Sequence, residues 1–121
     1  MAKILIVDDS VFQRRALAKL LKETGYGVVE AENGRVALEK VVSERPDALI
    51  LDLIMPELNG FEALETLRKD GIQVPVFIFT ADIQQTTRQK CLELGATAFL
   101  NKPLNREELR GVLLHFVGRG N

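Results

Sequence analysis

The stretch "KILIVDDS", residues 3–10, is an oily run that ends on two adjacent acids. From Ile4 to Val7 the apolar character is continuous rather than alternating, as in a strand of a parallel sheet covered on both faces. Two more continuous runs follow, "ALIL" (48–51) and "VFIF" (76–79), with weaker candidates at "GVVEA" (27–31) and "TAFL" (97–100). Helical patterns fill the gaps. Ser10 with Gln13 has the spacing of a capping box, and Phe12, Ala16, Leu17, Leu20 and Leu21 make a stripe that stops at Gly25. Asn33 opens a second helix reaching Val42, with Pro46 beyond its end. Phe61, Leu64 and Leu67 mark a third, ended by Gly71, and residues 83–94 a fourth, closed by Gly95. Asn105 with Glu108 caps a fifth, carrying Leu109, Val112, Leu113 and Phe116 at i, i+3, i+4 and i+7.

Strand and helix therefore alternate five times at intervals of roughly 20 to 28 residues, the pattern of a doubly wound parallel sheet. The expected fold class is α/β, a flavodoxin-like (βα)5 domain with helices on both faces. Its expected strand order is 2-1-3-4-5, a common one for such sheets. With 121 residues, no linker and no repeat beyond the alternation, the chain reads as a single domain, 1–121. It is 46% apolar and 27% charged with a formal net charge of −1, and no basic stripe breaks the mixture of signs. That argues against nucleic acid or an anionic membrane surface as the main partner. No segment approaches the length of a membrane span, and the apolar run after Lys3 is too short for a signal peptide. The one cysteine, Cys91, has no partner for an internal disulfide, which fits a cytoplasmic location.

Doubly wound sheets bind ligands beyond the carboxyl ends of their strands, where the strand order reverses. The residues due at that edge are Asp8 and Asp9 after the first strand, Asp52 after the third, Thr80 after the fourth, and Asn101-Lys102-Pro103 after the fifth. Taken singly, each has an ordinary explanation as a turn acid, a strand-end Thr or a solvated Lys. Their convergence points to a site. Adjacent acids repel and resist burial unless a cation or proton offsets them. A cluster of carboxylates suits a hard divalent cation such as Mg²⁺, which takes oxygen ligands and keeps several waters. With a metal and an amine beside it, one carboxylate becomes a competent nucleophile toward a phosphoryl group, whose shifting charge the amine and a hydroxyl would meet.

In the motifs "VDDS", "LDLIMPELNG", "FTA" and "NKP" the chain resembles the receiver domain of two-component response regulators, the single-domain chemotaxis type above all. The resemblance spans essentially the whole chain. It implies a phosphoacceptor rather than an enzyme, with self-catalysed phosphotransfer and slow autodephosphorylation. Asp52 would accept a phosphoryl group from a histidine kinase or phosphotransfer protein. Asp9, Asp52 and the carbonyl of Ile54 would ligate Mg²⁺, with Asp8 acting through water and Mn²⁺ able to substitute. Thr80 and Lys102 would bind the phosphoryl oxygens, Lys102–Pro103 would be a cis peptide, and small Ala81 would leave room for the donor. Thr80 and Phe99 would form the switch, read by a downstream protein on the face of the fourth helix, fifth strand and fifth helix. Ile54 and Asp82, two residues past Asp52 and Thr80, would flank the path of the hydrolytic water. The expected state is a monomer or a phosphorylation-dependent dimer.

Three other readings remain in view. A flavodoxin would carry a phosphate-cradling loop after the first strand, where this chain has two acids. An aspartyl-phosphate phosphatase would carry Asp-x-Asp there. A phosphorylation-independent interaction domain would not need the full residue set. The tail "FVGRGN" (116–121) is also compatible with a linker stub, so a receiver excised from a larger regulator or hybrid kinase fits as well as a stand-alone protein. His115 reads as a surface residue near a helix end, Cys91 as a small apolar filler, and Met55-Pro56 as loop-shaping.

Overall fold

Ile4, Leu5, Ile6 and Val7 are all buried, and their side chains leave the strand alternately toward two separate cores. That requires cover on both faces, and helices supply it. In a computed structural model, which describes residues 1–119, the strands are β1 (Lys3–Val7), β2 (Gly27–Ala31), β3 (Ala48–Leu51), β4 (Val76–Thr80) and β5 (Ala98–Asn101). The helices are α1 (Val11–Glu23), α2 (Gly34–Glu44), α3 (Gly60–Lys69), α4 (Gln85–Glu93) and α5 (Arg106–Phe116). All pairings are parallel, in the expected order β2-β1-β3-β4-β5. Leu5, Val7, Leu49, Leu51, Val76 and Ile78 pack against α2, α3 and Cys91 of α4. Ile4, Ile6, Ile50 and Phe77 pack against α1 and α5 on the other face. Each fully buried side chain of this size contributes about 1.5–3 kcal/mol. Residues 120 and 121, the end of the stretch read as a linker stub, lie outside the described residues.

Several local expectations shift. The buried face of α1 is Arg14, Leu17, Ala18 and Leu21, whereas Phe12 is 84% exposed and Ala16 is exposed too. The stripe is thus rotated by about one residue, leaving Phe12 at the rim of the strand ends. Both predicted capping boxes are halves: Ser10 and Asn105 accept the N–H groups of Gln13 and Glu108, with no return bond from either side chain. The complete box is Asn59 with Glu62, at the start of α3. Helix α4 begins at Gln85 rather than 83 and has no side-chain cap, and Ile83 stands exposed before it. Among its residues only Cys91 is buried. Helix α2 runs past Val42, which is exposed, to Glu44. Strand β5 starts and ends one residue later than "TAFL". His115 is exposed, edge-on against Phe116. No described helix is long and apolar enough to cross a membrane.

Register is what matters for the strand ends. Val7 lies opposite Ala31 on one side and Leu51 on the other. The ladders continue one step further, with Asp8 N–H donating to Ala31 O at 3.2 Å and Asp52 N–H to Val7 O at 3.0 Å. Asp8 and Asp52 are therefore brought side by side by backbone pairing alone. Gly60 closes the loop that follows. Its N–H donates to Leu53 O at 2.9 Å, and a Cβ there would lie 2.3 Å from the Asp52 carbonyl oxygen. Replacing Gly60 by Ala should destabilise the protein by about 1–3 kcal/mol, an overpacking cost. Gly111→Ala in α5, where a Cβ meets nothing within 4 Å, should instead stabilise by about 0.5–1 kcal/mol. Urea denaturation followed by circular dichroism checks both; equal effects would refute the close-approach account of Gly60.

Candidate functional site

Strand ends and the loops after them build the site. Asp8 is buried, Asp9 is exposed and Asp52 lies between, and the three offer carboxylate oxygens within 4.8 Å of one another. Asp8 is held firmly. Its Oδ1 accepts the Ser10 N–H at 2.9 Å and its Oδ2 the Lys102 ammonium at 3.2 Å. Its main-chain oxygen accepts the Arg14 guanidinium at 2.7 Å, and Arg14 donates as well to Glu30 on β2 at 2.9 Å. Asp52 Oδ1 accepts the Leu53 N–H at 2.8 Å, which orients the carboxylate, while Oδ2 lies 3.5 Å from the Lys102 ammonium. Asp9 projects into solvent.

The backbone N–H of Lys102 donates to Thr80 O at 2.8 Å, extending the β4–β5 ladder toward the acids, and the following bond to Pro103 is cis. Its ammonium also lies 2.7 Å from Gln13 Oε1 on α1 and 5.4 Å from the Phe79 ring centroid. Thr80 is buried, and its hydroxyl oxygen accepts the Asp82 N–H at 3.3 Å, which leaves the O–H available as a donor. The Asp82 carboxylate is committed to the start of α4, accepting the Gln84 N–H at 2.8 Å and the Thr87 hydroxyl at 2.7 Å. Those bonds hold it below the usual carboxylate range. Ile54 is 77% exposed beside Asp52, and Ala81 is exposed beside Thr80. Phe99 is partly buried under α4, with the Arg88 guanidinium 5.7 Å from its ring centroid.

Sequence reasoning missed three features. Arg14 looks like a solvated helix residue and is instead a buried strut under Asp8. Gln13 looks like a cap residue and reaches Lys102. Phe12, Ala16, Phe79, Ala81, Pro103 and Leu104 form an apolar cleft of about 480 Å³, with the Gln13–Lys102 pair in its wall. Of these, only Phe12, a large apolar residue beside a helix start, carries a signal in the sequence, and helical periodicity assigns it to the apolar stripe.

Burial raises the Asp52 carboxyl above its ordinary pKa, and the nearby Asp8 charge adds to this, against the pull of Lys102. The donor set fits a hard divalent cation: three carboxylate oxygens in reach, one of them from the exposed Asp9, and a lysine that offsets only part of the charge.

A doubly wound sheet that gathers three acids, a hydroxyl and an amine at the carboxyl ends of its strands defines an α/β domain whose acidic cluster could hold a metal ion. Comparison with known proteins gives that class its family: the response regulator receiver domain matches residues 4–114, and the chain belongs to it. It is 41% identical over 107 residues to the response regulator MprA of Mycolicibacterium vanbaalenii, covering 88% of this chain and 46% of that protein. It is also 41% identical over 109 residues to a protein-glutamate methylesterase/protein-glutamine glutaminase of Treponema denticola, covering 87% and 29%. The chain thus spans less than half the length of these curated relatives. Among solved structures, the Vibrio cholerae chemotaxis protein CheY4 superposes with a TM-score of 0.89 at 35% identity, covering 97% of this chain and 99% of that one. The receiver domain of the Francisella response regulator 1452 gives a TM-score of 0.91 at 28% identity, with 96% of each covered. Receiver domains are phosphoacceptors of two-component signalling, generally not enzymes in their own right, and they interact with histidine kinases and downstream targets.

Stability should follow the Asp52 shift. A carboxyl whose pKa is higher folded than unfolded favours the folded state most at low pH, and that contribution is lost as pH rises through the folded value. In chelator at neutral pH, Asp52→Asn should therefore be more stable than wild type, with the gap closing as pH falls below the ordinary carboxylate range. Thermal midpoints across pH test this; a variant less stable at neutral pH would mean that Lys102 outweighs burial.

Proposed function

We propose that Asp52 is the phosphoacceptor of this domain and that Asp8, Asp9, Asp52 and the Ile54 carbonyl hold Mg²⁺, with Mn²⁺ able to take its place. The observation that carries the reading is the convergence of three carboxylates within 4.8 Å, with the Lys102 ammonium between Asp8 and Asp52. The donor is the phosphohistidine of a histidine kinase or phosphotransfer protein. An Asp52 carboxylate oxygen forms the new bond to phosphorus, the phosphorus–nitrogen bond breaks, and the departing imidazole keeps the electron pair and takes up a proton. The cation, when bound, neutralises charge on the phosphoryl oxygens. Lys102 meets another oxygen with its ammonium, and the Thr80 hydroxyl donates to a third. Leu53 N–H fixes one Asp52 oxygen, and Ala81 leaves the approach open.

The domain is read as a single receiver over 1–121 in a cytoplasmic relay, a monomer or a phosphorylation-dependent dimer. Movement of Thr80 toward the phosphoryl group would make room for Phe99, altering the α4–β5–α5 face for a downstream protein. A helix that buries only Cys91 is cheap to shift. Autodephosphorylation is slow in this reading, since Ile54 shields the site and Asp82 is engaged by α4.

Incubation with acetyl phosphate and Mg²⁺ should add one acid-stable phosphoryl group to wild type and none to Asp52→Asn, read by intact mass. Undiminished label on the variant would overturn the assignment. Mg²⁺ at a hundredfold its dissociation constant should stabilise wild type by about 2.7 kcal/mol. Asp9→Ala should match wild-type stability in EDTA, since Asp9 is exposed, and lose most of the Mg²⁺ gain. An unchanged gain would remove Asp9 from the metal site.

A further inference from the structure

Gln13 stands at the third helical position of α1, where a capping-box side chain would turn back to the N–H of Ser10. That N–H is already taken by Asp8 Oδ1 at 2.9 Å. The Gln13 side chain is released from capping and reaches across the cleft to Lys102, with Oε1 2.7 Å from the ammonium. A lysine ammonium only donates, so the oxygen of the Gln13 amide must face it. Gln13 is the nearest of its three acceptors. The Asp8 and Asp52 carboxylates lie at 3.2 and 3.5 Å, both beyond the roughly 2.7–2.9 Å of a tight ammonium–carboxylate bond. A neutral amide holds the cation more closely than either anion does.

We propose that Gln13 is a positioning residue for Lys102. Its side-chain carbonyl draws the ammonium outward, toward α1 and away from Asp52. One consequence is that Asp52 is not locked in a tight ion pair that would blunt it as a nucleophile. The other is that Lys102, 3.5 Å from Asp52 Oδ2, is left with an N–H to donate to an oxygen of a phosphoryl group on Asp52. Two of the ammonium's three N–H bonds stay with Gln13 and Asp8 throughout, and the third passes from Asp52 to the phosphoryl oxygen. The inference rests on Asp52 as phosphoacceptor.

Gln13→Met keeps the length of the side chain and removes the acceptor. Gln13 is exposed, so the fold should be retained, as circular dichroism would verify. Initial rates of Asp52 labelling by acetyl phosphate in saturating Mg²⁺ would be compared for wild type, Gln13→Met, Lys102→Met and the double variant. Gln13→Met should be about threefold slower than wild type, the size of one hydrogen bond to a charged group after solvent screening. In the Lys102→Met background the same change should have no effect, which a general role in helix stability would not predict. Without Mg²⁺ or donor, the Gln13 side-chain amide resonances in a ¹H–¹⁵N spectrum should shift on Lys102→Met. A labelled wild type with Gln13→Met at the same rate, an equal loss in both backgrounds, or unmoved amide resonances would each overturn this inference alone. An unlabelled wild type would overturn it together with the phosphoacceptor reading.

Discussion

Two neighbouring parallel strands, paired so that Val7 lies opposite Leu51, force the next residue of each into the same small space. Those residues are both aspartates, and the ladder bond from Asp52 N–H to Val7 O prevents them from spreading apart. Much of the surrounding structure answers that repulsion. Lys102 is brought from the far edge of the sheet, Arg14 is buried beneath the Asp8 carbonyl, and the main-chain N–H groups of Ser10 and Leu53 donate to the Asp8 and Asp52 carboxylates. At an effective dielectric near 20, two unit charges 4 Å apart interact by about 4 kcal/mol, so such compensation is of the same order as a domain's net stability.

The same crowding explains the glycines around the site. Gly60 brings the start of α3 against the Asp52 carbonyl, and Gly34 brings the start of α2 against Leu58, where a Cβ would lie 2.1 Å from the carbonyl oxygen. Two helix starts thus brace the loop after Asp52, the Gly34 N–H donating to Leu58 O and the Gly60 N–H to Leu53 O. Glu57 within that loop takes a left-handed φ of 66° and is tied to Arg35 at 3.2 Å. Asp52 sits on a braced platform, whereas the fourth helix beyond Thr80 is secured by little more than Cys91, the Asp82–Thr87 bond and two cations over aromatic rings.

The fold was legible because continuous apolar runs and helix stripes have periods that need no tertiary information. The sheet edge was legible because each candidate residue follows a strand directly, so topology alone assembles Asp8, Asp9, Asp52, Thr80 and Lys102. Arg14 and Gln13 were not, since a polar residue's role in a helix depends on what lies across from it. The buried face of α1 is turned by about one residue of helical phase from the apolar stripe, because it includes Arg14, a residue that hydropathy assigns to solvent.

Cys91 has a use of a different kind. It is fully buried, and burial pushes its thiol up to about 11. Since the thiolate is the reactive form, the native protein offers almost nothing to a maleimide or a spin label at neutral pH. A single cysteine introduced at an exposed position would then be the one reactive thiol in the chain. Paired fluorophores or nitroxides on α1 and α4 could be attached without first removing Cys91, and the core that it helps to fill would be left intact.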